Sequence, residues 1–357
     1  MTSVLLPMTQ DEVRVMHETP TASVVIVNWN GAQHLDECLR SLCSQTLGAE
    51  TNIVVVDNGS TDESISVLDR YLENVQVIRN PVNVGFAAGC NQGIQASCSE
   101  FVALLNNDAV VNPNWLEALV KAMRRAPDVG CCTSKVLSYD DHQVFDNAGH
   151  VVYADGLTRG RGRLQRDDGQ FEREEDVFAL SGSAALLRRT MLEDVGLLDE
   201  HFFAYCEDAD LAFRARLRGW RCLYVPTAVA YHKFSASTDS FSPFKALHVE
   251  RNRLWLAVKN LPLPLLLISP IFTILRYWWQ AYGALTGHGA SGRFTEQHSR
   301  GTLITILVRA YSQAFAGLPR VLRQRRTIQA RRTVSTGEVW NWLRRYGISA
   351  REMALLE

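Results

Sequence analysis

The chain has 357 residues, of which 46% are hydrophobic and 21% are charged, and its formal net charge is -1. This composition is that of a globular protein and excludes a disordered chain. The length allows one large or two ordinary domains with ample core. The eight cysteines form no CxxC pair, so a zinc site is not expected.

Residues 1–20 are predicted to be an N-terminal tail that ends at Pro20. They have no basic start and no long apolar core, so they lack the pattern of a signal peptide. Together with the free cysteines, this favours a reducing, cytoplasmic setting.

After Pro20, strand patterns alternate with helix patterns. In chain order these are strand SVVIVNWN, a helix with apolar positions at Leu35, Cys38, Leu39 and Leu42, strand NIVVVDN, helix SISVLDRYL, strand VQVIRN, helix VGFAAGCNQGIQAS and strand EFVALLNND. The alternation predicts an α/β fold with a doubly wound, mostly parallel sheet.

Polar residues follow four of these strands, at Asn28, Asp57, Arg79 and Asp108. Ligands of such sheets bind beyond the carboxyl ends of the strands. Turns alone do not readily explain four polar strand ends, so this edge is predicted to bind a ligand. Asp57 could accept a hydrogen bond from a pyrimidine ring or cap a helix, and binding is favoured because Thr61 and Asp62 already serve as caps.

Three glycines, Gly85, Gly89 and Gly93, recur at every fourth residue. They do not form GxGxxG, so a dinucleotide-binding fold is not supported. The spacing places them on one helical face, where the backbone could approach either a ligand or a strand.

The stretch LLNNDAVV places Asn106 and Asp108 on the same side of an extended segment. Their oxygens could hold a divalent cation that neutralises a diphosphate, or the segment could simply be a turn. His232, after another strand-like stretch, is either a core histidine or a ligand.

Acidic residues cluster in CEDADLAFRARLRGW. A helix N-terminus favours acids in its first turn, which is one explanation of Glu207, Asp208 and Asp210. The other is catalytic, because the adjacent Glu207 and Asp208 follow aromatic residues that could wall a pocket. A partly desolvated carboxylate beside another is a candidate general base.

From about residue 250, where a domain boundary is predicted, the sequence pattern becomes helical. The apolar segment LPLPLLLISPIFTIL is too short and too rich in proline to span a membrane. Tyr277, Trp278 and Trp279 follow it, and residues 300–337 contain eight arginines but no lysine or acid. These features predict helices lying on an anionic membrane; a helical subdomain packed on the catalytic domain is the alternative. Nucleic-acid binding is not expected, because few aromatic residues interleave the arginines.

Several motifs occur together in a specific order. They are VVIVNWN, VVVDNGSTD, NVGFAAGCNQG, LLNNDAVV, SGSAALLRR, LDEHFFAYCEDADLAFRARLRGW and YHK. Over roughly residues 22 to 260 the chain thereby resembles the inverting glycosyltransferases of family two, especially rhamnosyltransferase-like bacterial members of cell-surface polysaccharide synthesis. The resemblance implies a GT-A fold for residues 21–250, a nucleoside-diphosphate-sugar donor and Mg²⁺ or Mn²⁺.

The resemblance also implies roles for individual residues on the donor side. Asp57 matches the acid that contacts a pyrimidine, and Asp108 matches the metal ligand of the family's Asp-x-Asp motif, in which Asn106 replaces the first acid. His232 matches a histidine that can complete the metal shell. The remaining donor-side residues face the nucleotide sugar: Asn28, Arg79, Asn83, Asn91 and Asn107.

On the acceptor side, Asp208 matches the catalytic base and Glu207 is the next candidate, while Gly182 and Ser183 line the site. The implied reaction moves a sugar, such as L-rhamnose from dTDP-rhamnose, to a hydroxyl of a polyprenyl-diphosphate-linked saccharide. Residues 251–357 would attach the enzyme to the inner face of the cell membrane.

Two other functions remain open from the sequence. A sugar nucleotidyltransferase also has a doubly wound sheet, but it usually carries a Gly-rich, basic phosphate loop that NWNGAQHL lacks. A non-catalytic membrane-associated scaffold could keep the fold, but the retained Asp108, Asp208 and His232 argue against it.

Overall fold

A computed structural model describes residues 20–233 and 241–356. The predicted tail, apart from Pro20, lies outside the described residues. The strands in this part of the chain are β1 (Ala22–Asn28), β2 (Thr51–Asp57), β3 (Gln76–Arg79), β4 (Phe101–Asn106), β5 (Ala109–Val111), β6 (Val129–Ser138), β7 (Phe145–Asn147), β8 (His150–Val152), β9 (Thr158–Gly160), β10 (Glu175–Asp176), β11 (Ala184–Arg188) and β12 (Arg221–His232). The α-helices are α1 (Ala32–Cys43), α2 (Ser64–Leu68), α3 (Phe86–Gln95), α4 (Trp115–Arg125), α5 (Arg189–Val195), α6 (Glu207–Leu217), α7 (Pro243–Asn260), α8 (Leu263–Thr286), α9 (Gly289–Gln297), α10 (Arg300–Ala330), α11 (Thr336–Arg345) and α12 (Ala350–Leu355).

The main sheet has the order β10-β12-β6-β11-β4-β1-β2-β3, with β5 beside β12 and β7 beside β6. Strands β4, β1, β2 and β3 are parallel, as are β6 and β12, whereas β11 is antiparallel to both of its neighbours. The predicted mostly parallel α/β sheet is confirmed, and β11 makes it mixed.

Hydrophobic side chains are buried on both faces of this sheet. Every residue of β1 is buried, as expected for a central strand covered by helices on both sides. On one face, α1 buries Leu35, Cys38, Leu39 and Leu42, the positions predicted from helical spacing.

The opposite face carries α3, whose glycines allow a close approach to β1. A Cβ atom added at Gly89 would lie 2.9 Å from a methyl carbon of Val27, and one at Gly93 would lie 2.3 Å from a methyl carbon of Val25. Close helix–sheet packing therefore explains these two glycines.

The parallel register gathers the polar strand ends at one edge. Asn28 pairs with Asp57, which pairs with Arg79, and on the other side of β1 Val27 pairs with Asn106. This edge therefore brings together residues far apart in sequence.

The C-terminal helices pack on the α/β part of the chain through α7. Asp210 in α6 is fully buried and accepts hydrogen bonds from Lys259 and Asn260, at 3.0 and 2.8 Å. The boundary predicted near residue 250 lies inside α7, at the buried Glu250. No helix among the described residues is both long and apolar enough to cross a membrane.

A buried charge cluster joins α7, α8 and the loop after β8. Arg276 donates to Asp155 at 2.8 Å and to Glu250 at 2.6 Å, and Arg253 donates to the same Glu250 at 3.2 Å. The hydroxyl of Tyr277 also donates to Glu250, at 2.9 Å. Burial opposes ionisation, but the two arginines lower the pKa of Glu250 to about 2.

Candidate active site

A cavity of 370 Å³ opens at the carboxyl ends of β1 and β4. It is bordered by the loop that precedes α6 and by the first turn of α7. Nine of the residues predicted from sequence line it: Asn83, Asn106, Asn107, Asp108, Gly182, Ser183, Glu207, Asp208 and His232. The fold thus brings the predicted metal, acceptor-side and catalytic residues to one place.

At one side of the cavity, His232 lies between two carboxylates. Its Nε2 is 3.1 Å from Asp108 Oδ1, and its Nδ1 is 3.0 Å from Asp146 Oδ2. All three side chains are buried. Burial lowers the pKa of His232, but the two carboxylates outweigh burial and raise it to about 10.

The side chain of Asn106 completes this group, with its amide nitrogen 3.1 Å from His232 Nε2. Asn106 and His232 are brought together because both lie at carboxyl ends of strands, in β4 and β12. Among the described residues, no group of three or more His, Cys, Asp and Glu side chains is arranged to hold a metal ion. Asp108 and His232 therefore form a pair, with Asn106 as the neighbouring amide.

Asn28 and Asp57 lie beneath the cavity and hold its floor. Asn107 donates to Asn28 at 2.8 Å, and Asn28 donates to Asp57 at 3.1 Å. The other oxygen of Asp57 accepts from the backbone N–H of Ser60 at 3.1 Å. Asp57 thus organises the turn after β2, and neither it nor Asn28 is among the side chains that line the cavity.

Three other predicted donor-side residues differ in placement. Asn83 lines the cavity and accepts from Asn58 and from the backbone of Gly85, both at 2.9 Å. Arg79 is half exposed and pairs with Asp69 at 2.7 Å. Asn91 is buried against the loop before residue 200, where its side chain donates to the Leu198 carbonyl at 2.9 Å and accepts from the Leu198 N–H at 3.1 Å. The structure does not bring Arg79 and Asn91 to the cavity lining.

At the other side of the cavity, Asp208 is half-buried at the start of α6. Its Oδ2 accepts a hydrogen bond from the backbone N–H of Gly182 at 2.9 Å, and its Oδ1 accepts from the N–H of Ala209 at 2.7 Å. Gly182 and Ser183 come directly before β11, whose pairing with β4 places them at this edge. The carboxylate is therefore oriented by backbone donors while it faces the cavity.

Glu207, beside it, has a different environment. The side chain is buried, and its Oε2 has no hydrogen-bond partner among the described residues. Burial, reinforced by the negative charge of Asp208, raises the pKa of Glu207 to about 8. At neutral pH Glu207 is therefore protonated, and the two adjacent acids are chemically distinct.

The loop that leads into α6 is conformationally strained. Phe203, Tyr205 and Cys206 have φ angles of 65°, 70° and 69°, which non-glycine residues rarely adopt. Such residues cost on the order of 1–3 kcal/mol each and persist only where surrounding contacts fix them. Asn252 of α7 supplies those contacts by donating to the carbonyls of Phe202, Ala204 and Tyr205, at 2.9, 2.9 and 2.8 Å.

Several residues that line the cavity are not among those predicted from the sequence. Asp146, in β7, and Arg163 line it and lie 3.4 Å apart. Phe244 and Lys245, from the first turn of α7, also line it. No sequence pattern marks Asp146, because its burial in the short strand β7 is visible only in the structure.

Residues 23–196 match the family described as Glycosyl transferase family 2. The resemblance to family-two glycosyltransferases noted in the sequence is thereby confirmed, and the fold is of the GT-A type.

Two curated relatives illustrate the similarity. The N-acetylglucosaminyl-diphospho-decaprenol L-rhamnosyltransferase of Mycobacterium tuberculosis is 28% identical over 265 residues, covering 68% of this chain and 86% of the relative. An uncharacterized protein of Sinorhizobium fredii is 30% identical over 234 residues, covering 62% of this chain but only 25% of that protein.

Among solved structures, the fold is similar to that of GalNAc-T7 with UDP, GalNAc and Mn²⁺. The TM-score is 0.56 at 18% identity, and the match covers 71% of this chain and 51% of the other. At this identity the likeness concerns the fold.

Proposed function

We propose that this glycosyltransferase transfers a sugar, with inversion at the anomeric carbon, from a nucleoside-diphosphate donor to an acceptor hydroxyl. One observation carries the proposal: the carboxylate of Asp208 and the Asp108–His232 pair line the same cavity at the ligand edge of the sheet. A base and a diphosphate-binding end are the two parts that such a displacement requires.

Asp208 acts as the general base. Its oxygens accept backbone hydrogen bonds that fix the carboxylate, while Glu207, with a pKa of about 8, stays neutral and does not add a second charge. The acceptor oxygen forms a bond to the anomeric carbon as the bond to the diphosphate oxygen breaks. The hydroxyl proton passes to Asp208, and the diphosphate leaves with the bonding electrons. Positioned base catalysis of this kind contributes roughly 10²–10⁴-fold in rate.

Asp108 and His232 are the residues that would hold Mg²⁺ or Mn²⁺, with Asn106 as a further oxygen donor. The residues fit such an ion if it displaces the proton on Nε2 of His232. Carboxylate, imidazole and amide oxygen suit Mn²⁺, and Mg²⁺ is commonly held by one or two carboxylates plus substrate phosphates. Asp146 orients the ring of His232 through Nδ1, as carboxylates do for metal-binding histidines. A bound ion would neutralise the charge of the leaving diphosphate.

The nucleotide-sugar side of the cavity is proposed to consist of Asn28, Asp57, Asn83 and Asn107. Each of them contacts the donor directly or holds the cavity floor. Arg79 and Asn91 are assigned to it by family resemblance alone. Gly182 and Ser183 form the acceptor side, beside Asp208. A UDP-bound structural neighbour with Mn²⁺ supports a nucleotide-sugar donor and a divalent cation.

For donor and acceptor, we propose L-rhamnose from dTDP-rhamnose and a polyprenyl-diphosphate-linked saccharide, in the synthesis of a cell-surface polysaccharide. The enzyme would work at the cytoplasmic face of the cell membrane, peripherally attached through residues 251–357. The support is the mycobacterial relative, which is named as an L-rhamnosyltransferase acting on a decaprenol-linked sugar.

The proposal is tested with a panel of nucleoside-diphosphate sugars, scored for binding and for hydrolysis with and without Mg²⁺ or Mn²⁺. Preferential, metal-stimulated hydrolysis of dTDP-rhamnose is expected, and product analysis with a lipid-linked saccharide should show inverted configuration. Preference for another sugar would overturn the rhamnose assignment while leaving the reaction class intact, and retained configuration would overturn the mechanism.

A further inference from the structure

One face of α8 is apolar, exposed and uncharged along its whole length. Side chains at intervals of three or four residues form it: Leu263, Leu267, Ile271, Ile274, Trp278, Tyr282 and Leu285. Leu267, Ile274 and Leu285 are 70%, 67% and 66% exposed. At 3.6 residues per turn, these positions fall within an arc of roughly 100°. We call this set the α8 stripe.

The opposite face of α8 packs on the protein. It buries Leu265, Ser269, Thr273, Arg276 and Gly283. The helix contains no acid and no lysine, and its one arginine, Arg276, belongs to the buried cluster. The α8 stripe therefore carries no charge that would need water.

A cleft of 520 Å³ lies where the stripe begins. Its apolar lip is formed by Leu263 and Pro264 of α8 and by Leu322 of α10. Its polar wall contains three arginines, Arg325, Arg326 and Arg332, together with Gln329 and Thr336. We call this feature the arginine cleft.

The arginine cleft carries positive charge without a neutralising carboxylate. Arg325 donates to the carbonyls of Val258 and Leu261, both at 2.6 Å, and Arg332 donates to the hydroxyl of Thr336 at 3.2 Å. None of the cleft's three arginines is paired with an acid in the described part of the chain. Burial and the neighbouring charge of Arg332 lower the pKa of Arg325. An anion would relieve this repulsion.

We propose that the α8 stripe lies in the surface of a membrane and that the arginine cleft binds the phosphate of an anionic phospholipid headgroup. This inference rests on the membrane attachment in the proposed function. It adds which surface meets the membrane, how the protein is oriented there and which lipid group it binds. Leucines beside arginines match the junction between acyl chain and phosphate, where apolar burial and charge attraction act together.

The stripe also defines an orientation. The stripe runs along the 24-residue helix α8, which is about 36 Å long. The membrane can bury the whole stripe only if α8 lies parallel to the membrane surface. Helix α7 runs antiparallel to α8, since Arg253 contacts Thr273 and Glu250 contacts Arg276. The end of α8 with Trp278 and Tyr282 therefore lies toward the first turn of α7, where Phe244 lines the catalytic cavity.

The arginine cleft lies at the other end of α7. The 18 residues of that helix separate it from the cavity by about 27 Å. A short saccharide cannot join a diphosphate in the cleft to a hydroxyl in the cavity over that distance. The cleft is therefore assigned to a bulk lipid rather than to the acceptor.

The test uses the full-length protein and vesicles of phosphatidylcholine with or without phosphatidylglycerol. The cleft variant is Arg326→Gln with Arg332→Gln, and the matched control is Arg309→Gln with Arg323→Gln, which removes two arginines of α10 outside the cleft. Each arginine near an anionic surface contributes about fivefold to binding, so the cleft variant should lose on the order of 25-fold. The control should lose clearly less, because its arginines do not line the cleft.

The stripe variant is Leu267→Ser with Ile274→Ser, both exposed positions, and it should release the protein even at low salt. Soluble inorganic phosphate should compete with vesicles only weakly, because it lacks the apolar part of the lipid. Equal losses in the cleft and control variants, or unchanged binding of the stripe variant, would overturn the inference. So would a dimer in light scattering that the stripe variant dissociates, because a second copy would then cover the face.

The same variants separate this inference from the proposed function. Failure of the unaltered protein to bind phosphatidylglycerol vesicles would reject membrane attachment and this inference together. Hydrolysis of the nucleotide sugar should be unchanged in all three variants, because none of the substituted residues lines the catalytic cavity. If neither the variants nor the unaltered protein hydrolyse the nucleotide sugar, the catalytic proposal is rejected instead.

Discussion

The side-chain amide of Asn252 donates a hydrogen bond to the backbone carbonyl of Tyr205 over 2.8 Å. It joins a C-terminal helix to the strained loop that begins the catalytic helix. The same amide donates to the carbonyls of Phe202 and Ala204. A residue outside the family-matched segment, which ends at residue 196, therefore holds the loop beside the proposed base.

Replacing Asn252 with alanine should lower turnover more than donor binding. The carbonyls of Ala204 and Tyr205 would lose this donor, whereas that of Phe202 would keep Arg251 at 3.0 Å. A small displacement of Asp208 can cost about 10- to 100-fold in rate. The free energy of unfolding should fall by about 1–3 kcal/mol. Steady-state kinetics and urea unfolding measure both. Ser312→Ala, at an exposed position of α10, is the control. Normal turnover in Asn252→Ala would refute the positioning role.

Asp208→Asn should reduce turnover by about 10²-fold or more, because the amide cannot accept the acceptor proton. Affinity for the nucleoside diphosphate should change little. Glu207→Gln is the matched comparison and should keep most activity, because Glu207 is already neutral at pH 7. If Glu207→Gln is the inactive variant instead, the roles of the two acids are reversed.

Glu207 should also make stability depend on pH. Its pKa is raised from the ordinary 4.5 to about 8, so in that interval the folded state binds a proton that the unfolded state has released. The free energy of unfolding should therefore fall as pH rises from about 4.5 to about 8, with no further loss from this group above that range. Denaturant titrations across pH measure the trend. In Glu207→Gln the decline should be shallower, and an unchanged decline would assign it to other groups.

Chelation of the metal and mutation of Asp108 should weaken binding of nucleoside diphosphate through the same interaction. Calorimetric binding of nucleoside diphosphate should weaken in EDTA and also in Asp108→Ala. EDTA should add nothing to the mutant, because both changes remove one interaction. Additive losses would place the ion elsewhere, and binding that is indifferent to EDTA would indicate a metal-independent enzyme.

The buried cluster predicts a large loss of stability in Arg276→Ala. Asp155 and Glu250 would keep buried negative charge without this partner, which typically costs about 3–5 kcal/mol. Arg293→Ala removes an exposed arginine 3.9 Å from Glu296 and should cost less than about 1 kcal/mol. Thermal unfolding of both variants provides the comparison, and equal losses would contradict the role given to the cluster.

The sequence predicted the catalytic sheet well because its signals are local. The continuous apolar run of β1, the helical spacing of Leu35 and Leu42, and the polar strand ends all depend on short segments. Parallel pairing then brings the strand ends together, so Asn28, Asp57 and Asp108 could be placed at one edge of the sheet. Asp208, at the start of α6, was assigned to the site by the family resemblance.

Other parts depend on contacts that no local pattern reveals. Asp146 reaches His232 only because β7 and β12 both pair with β6. A change in sequence pattern predicts a boundary near residue 250, but it does not reveal that Glu250 and Asn252 are buried in contacts with distant segments. Asn91 lies in a stretch that the resemblance assigns to the nucleotide sugar, and its side chain forms hydrogen bonds with Leu198 and Glu200.

The contact between Asn252 and the loop orders events during synthesis of the chain. Residues 203–206 leave the ribosome before Asn252, so their strained conformation cannot yet be fixed. Lys259 and Asn260, which bind Asp210, emerge after Asn252. Arg325, which binds carbonyls at the C-terminal end of α7, emerges later still. A nascent chain that stops after the sheet would contain the proposed base but not its support. The proposed base is therefore held in place only after α7 has been made.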